Sequence, residues 1–179
     1  MKEKQNKNFC TFYSKIGACR HGVNCSKTHK KREYSKSILI SNLYFYPLND
    51  ENCTLSPSKI QLHLDLFYED IFTECSLKYG EIKDLIICAN VSDHLLGSIF
   101  ISFYNYESAQ KAMALNDRYY FGKRIICEYT INDFASAICP DYEIQECTRG
   151  GFCNFIHKAS VTKELVDEFF QSQSVYFNT

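Results

Sequence analysis

The sequence predicts an α+β fold, a ferredoxin-like βαββαβ domain flanked by two very small metal-pinned fingers. Three observations carry that expectation. Ligand-type residues recur as Cys10-x8-Cys19-x5-Cys25-x3-His29 and Cys139-x7-Cys147-x5-Cys153-x3-His157. Between these clusters, strand-like and helix-like periodicities alternate. The composition of the 179 residues, 45% hydrophobic and 23% charged with 7 Gly and 3 Pro, excludes a collagenous or low-complexity chain. No apolar run approaches the ~18 residues of a membrane span, and the opening MKEKQNKNF lacks a signal-peptide core, so a soluble, intracellular protein is expected. Ten cysteines in a reducing compartment then need a role other than disulfides.

Each cluster offers three soft thiolates and one imidazole, the donor set of tetrahedral Zn²⁺. Chance spacing explains one such cluster far more easily than two that both end C-x5-C-x3-H. Four protein ligands close the coordination sphere, so two structural Zn²⁺ ions are expected and no catalytic residue. Segments of about 25 residues bury little core, and metal binding of ~10–16 kcal/mol would supply their folding free energy. Cys53, Cys75, Cys88 and Cys127 read as ordinary core or surface residues.

The elements between the fingers follow in order. Ser37–Tyr46, rich in β-branched and aromatic residues, reads as the first strand. Pro47 to Ser58 reads as a loop. Lys59–Tyr79 places Leu64, Phe67, Ile71 and Cys75 at helical spacing and is stopped by Gly80. Glu81–Val91 and Leu95–Tyr104 are strands joined through Ser92-Asp93-His94. Glu107–Leu115 is a short helix packing Ala109, Ala112 and Met113, and Arg124–Ile131 is the last strand. Beyond the second finger, Thr162 as N-cap and Val161/Val166 as a staple begin a helix whose Phe169 and Phe170 pack on the body. The expected divisions are residues 1–34 for the first finger, 35–131 for the central domain, 132–160 for the second finger and 161–179 for the terminal helix.

The βαββαβ order is that of RNA recognition motifs. Ile38–Leu43 fits the RNP2 strand and Leu96–Phe103 the RNP1 strand. The base-stacking positions hold Leu39, Ser98 and Phe100, and the leading basic position of RNP1 holds Leu96. Two of three stacking platforms and a phosphate-binding cation are missing, so the sheet is not expected to bind RNA. What the domain presents instead is a helix carrying Asp65, Glu69, Asp70 and Glu74. Asp65/Glu69 and Asp70/Glu74 are like charges at i,i+4, each costing ~0.2–0.5 kcal/mol in isolation. A solvated acidic face is the bland reading of that helix. Against it stands the segment Arg118-Tyr119-Tyr120-Phe121-Gly122, an arginine and three aromatics where a loop should be polar.

The net charge of −1 conceals a segregation: residues 1–34 carry about +7, residues 35–130 carry −4 and residues 131–179 carry −4. A basic end suits a polyanion. Around the ligands lie Phe9, Phe12, Tyr13, Phe152 and Phe155, with Lys15, Arg20, Lys27 and Arg149 beside them. Rings that stack bases and cations that meet phosphates bind single-stranded RNA. About half of the rings are expected to cover the metal sites instead.

Over residues 6 to about 165 the chain resembles the small subunits of the U2 snRNP auxiliary factor, U2AF. NFCTFYSKIGACRHGVNCSKTH and ECTRGGFCNFIH carry the resemblance in the fingers, and SILISNLY, DIFTECSLKYGEI and DHLLGSIFISF carry it between them. The resemblance implies a non-enzymatic, nuclear pre-mRNA splicing subunit whose two fingers together read the AG dinucleotide at the 3′ splice site. It also implies that the central domain is a U2AF homology motif. Such a motif binds a Trp-containing peptide of the large subunit through its acidic helix and an Arg-X-Phe loop, giving a heterodimer. Carried over by position, Arg118 and Tyr120 occupy that loop, with Tyr in place of Phe, and Tyr119 falls where the family has Trp. Phe12, Arg20, Ser26 and Lys27 match RNA-contacting positions of the first finger, and Arg149 and Phe155 those of the second. Pro140 stands where the family commonly has Arg, and the last fifteen residues, without Lys or Arg, hold no counterpart of its Arg-Ser tail. Two fingers distant in sequence that act on a few nucleotides are expected to pack side by side on the central domain.

Three other readings compete. A finger protein of mRNA decay or translation leaves the degraded RNP1 strand and the Arg-aromatic segment unexplained. A pure protein-interaction scaffold would use the fingers only as structural plugs. A zinc nuclease needs an open metal position and a carboxylate cluster, and the sequence offers neither.

Overall fold

The computed structural model describes residues 8–178; residues 1–7, which belong to the expected first finger and its basic end, and Thr179 lie outside the described residues. The chain begins with α1 (Thr11–Ile16) and continues through β1 (Ser37–Ile40), α2 (Pro57–Tyr79), β2 (Ile82–Ile87), β3 (Ile99–Phe103) and α3 (Tyr106–Ala112). A two-residue hairpin, β4 (Tyr119–Tyr120) and β5 (Lys123–Arg124), precedes β6 (Cys127–Tyr129), α4 (Pro140–Glu143) and the terminal α5 (Lys163–Asn178). Four strands form one antiparallel sheet in the order β2-β3-β1-β6. This is the ferredoxin-like arrangement expected of βαββαβ.

Register explains why the strands are apolar on both faces. Leu39 lies opposite Phe100, and Phe100 opposite Ile86, so these three share one face. Ile38, Ile40, Ile99, Ile101 and Leu85 share the other, where they pack against α2 through Leu64, Phe67, Ile71 and Phe72 and against α3 through Ala109 and Ala112. The face of Leu39, Ile86 and Phe100 is equally buried, beneath Ile16 and Ala18 of the first finger and Phe134, Ala137 and Ile156 from the chain of the second. The sheet is thus the middle of three layers, helices on one side and fingers on the other.

Several elements are shorter than the sequence pattern suggests, for local reasons. The first strand ends at Ile40 because Asn42 takes a left-handed backbone, φ 47°, and the N–H groups of Leu43 and Tyr44 both turn onto the carbonyl of Gly97. Gly97 is itself left-handed at φ 56°, and a Cβ there would stand 2.0 Å from the Tyr44 carbonyl oxygen, so β3 starts only at Ile99. Helix α2 begins two residues earlier than expected, with Pro57 in the first turn where its missing N–H costs nothing. The Arg118–Gly122 segment is a hairpin, with Phe121 and Gly122 both at positive φ as a two-residue turn of opposite hand demands.

The terminal helix α5 lies on α2, with Phe169 and Phe170 against the ring of Phe72 at 5.2 and 5.1 Å. Thr162 precedes it as expected, yet its N–H and its hydroxyl both donate to Asp65, at 2.9 and 2.6 Å. Gln173, buried on α5, treats the sheet edge as a strand would. Its Oε1 accepts from the Ile82 N–H at 2.7 Å and its Nε2 donates to the Ile82 carbonyl at 2.8 Å. The side chain thereby covers part of the exposed edge of β2. Gln173→Ala leaves both Ile82 groups unpaired, and a loss of ~1–3 kcal/mol is expected in denaturant unfolding. An unchanged midpoint would mean that the phenylalanines and the Thr162–Asp65 contact hold α5 without Gln173.

Candidate functional site

The two Cys3His clusters assemble as the spacing implies. In the first, the Sγ atoms of Cys10 and Cys19 are 3.6 Å apart and those of Cys19 and Cys25 are 3.9 Å apart. In the second, Cys139 and Cys153 are 3.8 Å apart. Within each cluster, Cys10, Cys19, Cys25 and His29 or Cys139, Cys147, Cys153 and His157, the ligand atoms lie within 4.8 Å of one another. Metal–sulfur bonds of ~2.3 Å in a tetrahedron put sulfurs ~3.8 Å apart, so each donor set fits one tetrahedral metal ion. The Nε2 atoms of His29 and His157 are buried without a hydrogen-bond partner, a deficit that coordination would meet.

The sequence repeat is also a repeat in space. The residue before the first ligand bridges the residue before the histidine, Phe9 to Thr28 and Ile138 to Ile156. The first ligand precedes a short helix, and a 3-10 turn, Gly22–Asn24 or Gly150–Phe152, delivers the third. Pro140 opens the second of these helices, where it is sterically suited. Three residues past the first ligand, a tyrosine stacks on the ligand histidine: Tyr13 on His29 at 4.3 Å and Tyr142 on His157 at 3.9 Å. These tyrosines orient the imidazoles, a role legible in the repeat of Tyr at that offset.

Different devices fix the fingers to the sheet. Gly17, left-handed at φ 82°, lets α1 approach until a Cβ would be 2.0 Å from Thr130 Oγ1 and 3.7 Å from the Phe100 ring. The second finger is tied by hydrogen bonds to the chain beyond β2. The N–H of Ala89 donates to His157 at 2.7 Å and that of Val91 to Gly151 at 2.9 Å. Buried Asn90 donates through Nδ2 to the carbonyls of Cys153 and Phe155 and accepts from the His157 N–H at 2.9 Å. Nothing in the sequence pattern singled out Asn90. The fingers also meet directly, Arg20 Nη2 donating to the Phe152 carbonyl at 3.0 Å.

Of the residues expected to face RNA, Phe12, Lys15, Arg20, Ser26 and Lys27 are exposed, Phe12 at 41%. Phe155 is half-buried and packs against the cluster that the fingers share with the sheet. Phe152, at 67% exposed, points outward instead. Arg149 is exposed, and its guanidinium reaches the sulfurs of Cys153 at 3.2 Å and Cys139 at 3.7 Å while pairing with Asp141 at 2.7 Å. Its positive charge therefore lies beside two of the expected ligand sulfurs, a contact that phosphate-binding logic did not anticipate.

The acidic helix divides into two functions. Asp65 is taken up by Thr162 and by Gln61 Nε2 at 2.9 Å, so it anchors α5. Glu69 is exposed on the helix surface. Asp70 and Glu74 turn to the hairpin. Arg118 Nη1 donates to Glu74 at 2.6 Å and to the Tyr79 hydroxyl at 3.1 Å, and the Tyr120 hydroxyl donates to Asp70 at 3.0 Å. Burial alone would raise the Glu74 carboxyl, but Arg118 and Lys78 outweigh it and hold it below the ordinary glutamate range. Burial, and then the bond to Asp70, push the Tyr120 phenol well above its ordinary value. Tyr120 stands edge-on to Phe67 at 5.5 Å and beside Phe121, while Tyr119 is exposed. Phe67, Tyr120 and Phe121, with Tyr44, Phe45 and Leu66, wall a groove of about 520 Å³ between α2 and the hairpin, and Tyr119 lies outside it.

Comparison with known proteins matches residues 61–126 to the RNA recognition motif family. The chain is 43% identical over 173 residues to the splicing factor U2af 38 kDa subunit of Drosophila melanogaster, covering 91% of this chain and 65% of that one. It is 43% identical over 171 residues to the splicing factor U2AF 26 kDa subunit of Rattus norvegicus, covering 91% and 77%. It is 41% identical over 176 residues to the splicing factor U2AF 23 kDa subunit of Schizosaccharomyces pombe, covering 97% and 81%. Such identity across both fingers, the sheet and the helices leaves one assignment: the chain belongs to the family of U2AF splicing-factor small subunits, RNA-binding proteins rather than enzymes.

Proposed function

We propose that the chain acts in the nucleus as the small subunit of a splicing heterodimer. In this reading its fingers, each closed around one structural Zn²⁺, read the AG dinucleotide of single-stranded pre-mRNA at the 3′ splice site. The observation that carries it is the joint seating of both fingers on one face of the sheet, where Ile16, Phe134 and Ile156 share a core with Leu39 and Phe100. A dinucleotide is too short for two independent modules, whereas two fingers fixed edge to edge by Arg20 and the Phe152 carbonyl form one surface. Phe12 and Phe155 supply rings for the bases, and Lys15, Ser26 and Lys27 supply polar and cationic groups beside them. Zn²⁺ holds each finger's shape and takes no part in chemistry.

The same docking accounts for the altered RNP strands. Phe100, fully buried against Phe134 at 5.7 Å, carries fingers rather than bases. On the opposite side, the groove walled by Phe67 and Tyr120 suits a tryptophan of a large-subunit peptide. Exposed Glu69 and Asp70 would attract basic residues that flank it, while Glu74, paired with Arg118 and Lys78, holds the hairpin against α2. Truncating Phe12 or Phe155 to Ala is expected to weaken a short AG-containing RNA by ~1–3 kcal/mol each. Tyr120→Ala should weaken a Trp- and Arg-containing peptide by ~2 kcal/mol or more. Calorimetry on the full chain checks both, and unchanged values would move RNA reading off the fingers or the peptide off the hairpin.

A further inference from the structure

Directly after His29 the chain runs along a second groove, about 440 Å³ in volume, between the first finger and the β6 side of the sheet. That volume falls within the ~300–1,000 Å³ of small-ligand sites. Tyr13, the ring stacked on His29, lines it together with Tyr34 and Tyr106. Tyr34 and Tyr106 meet edge to face at 5.8 Å and remain 72% and 45% exposed. Lys36 Nζ sits over the Tyr106 ring at 5.3 Å from its centre.

The lining is also basic, with Lys30, Lys31 and Arg32 against Glu33. In the segment that borders the groove, Lys31 pairs with Glu128, whereas Lys30, Arg32 and Lys36 form no ion pair among the described residues. Glu33 is the one carboxylate on the groove lining, so cations exceed anions there. Lys36 Nζ donates to the Tyr104 carbonyl at 2.9 Å and keeps its charge. Exposed rings interleaved with cations free of carboxylates are what a single nucleic-acid strand needs: stacking faces that tolerate any base, and charges for its phosphates.

We propose that this groove holds the nucleotides of the same RNA strand that flank the dinucleotide, their bases on Tyr34 and Tyr106 and their phosphates near Lys30, Arg32 and Lys36. The inference rests on the fingers binding RNA, because the groove is lined by Tyr13 and Ser14 of α1, the helix that carries Phe12. It adds affinity without sequence preference, since no base-edge reading is built into the wall.

Fluorescence anisotropy on the full chain, with a short AG-containing RNA and the same RNA extended on its 5′ or its 3′ side, tests it. One extension should tighten binding of the wild type by about tenfold or more. Tyr34→Ala with Tyr106→Ala should remove most of that gain, leaving the short RNA's affinity, its AG-over-CG ratio and the metal content unchanged. Tyr34→Phe with Tyr106→Phe should keep the gain. Lys30→Ala with Arg32→Ala should lower the salt slope of the extended RNA by about 1.4 in log–log units. A wild type that gains from the extension yet lacks AG preference would support the groove and sink the dinucleotide reading. Full retention of the gain in the tyrosine-to-alanine pair, or displacement of neither RNA segment but binding of an acidic peptide at these residues, would overturn the proposal.

Discussion

Cys139→Ser is expected to release one metal ion per chain and to disturb far more than the second finger. The finger alone buries too little surface to fold, so coordination of ~10–16 kcal/mol is its folding free energy. Its docking groups, however, belong to the whole molecule. The hydrogen bonds from Ala89 and Val91 to His157 and Gly151 end with it, as do the three bonds of Asn90. Ile156 leaves the core it shares with Leu39, Ile86 and Phe100. The amides of Ala89 and Val91 should therefore lose hydrogen-exchange protection together with the finger, while that of Cys88, bonded to the Ser98 carbonyl, and those of α2 and the hairpin keep theirs. Elemental analysis should find one metal ion where the wild type holds two. Two retained ions, or deprotection confined to residues 139–157, would contradict the ligand set or the coupling.

The second large effect concerns the sheet face. Phe100 and Phe134 are both almost wholly buried with rings 5.7 Å apart, one from the sheet and one from the chain entering the second finger. Truncating either to Ala should cost ~3–5 kcal/mol of stability. Because the rings touch, the double variant should lose clearly less than the sum, by a coupling of ~0.5–3 kcal/mol. Both metal ions should remain bound, since neither residue is a ligand, yet RNA affinity should fall as the fingers lose their common seat. Additive losses with RNA binding untouched would show that the fingers work without the sheet.

Much of this architecture was legible in the sequence, and the reasons are physical. Metal ligands betray themselves because coordination fixes residue type and loop length, and Cys25-x3-His29 recurs as Cys153-x3-His157. Helix α2 was legible from Leu64, Phe67, Ile71 and Cys75 because a single face is buried. The loss of RNA-binding side chains at Leu39, Ser98 and Leu96 was legible too, though not its cause, since a sheet face covered by fingers reads as an apolar strand whatever covers it. The roles of Asp65 and Arg149 were hidden for a different reason. A carboxylate on an acidic helix and an arginine beside a finger look the same in sequence whether they meet a partner or their own fold. The approach of Thr162 to Asp65, and of two ligand sulfurs to Arg149, adds contacts within the fold that no local pattern announces. Gln173 and Asn90 were invisible because a side chain that pairs with distant backbone leaves no local pattern.

The central claim is that both fingers, seated together on the sheet, form one RNA-reading surface. The ratio of affinities for short AG and CG RNAs tests it most directly, measured on the wild type, on Cys10→Ser and on Cys139→Ser under identical salt. Preference for AG in the wild type and its complete loss in both variants is the result this account predicts. A variant that keeps the wild-type ratio with one finger unfolded would contradict it.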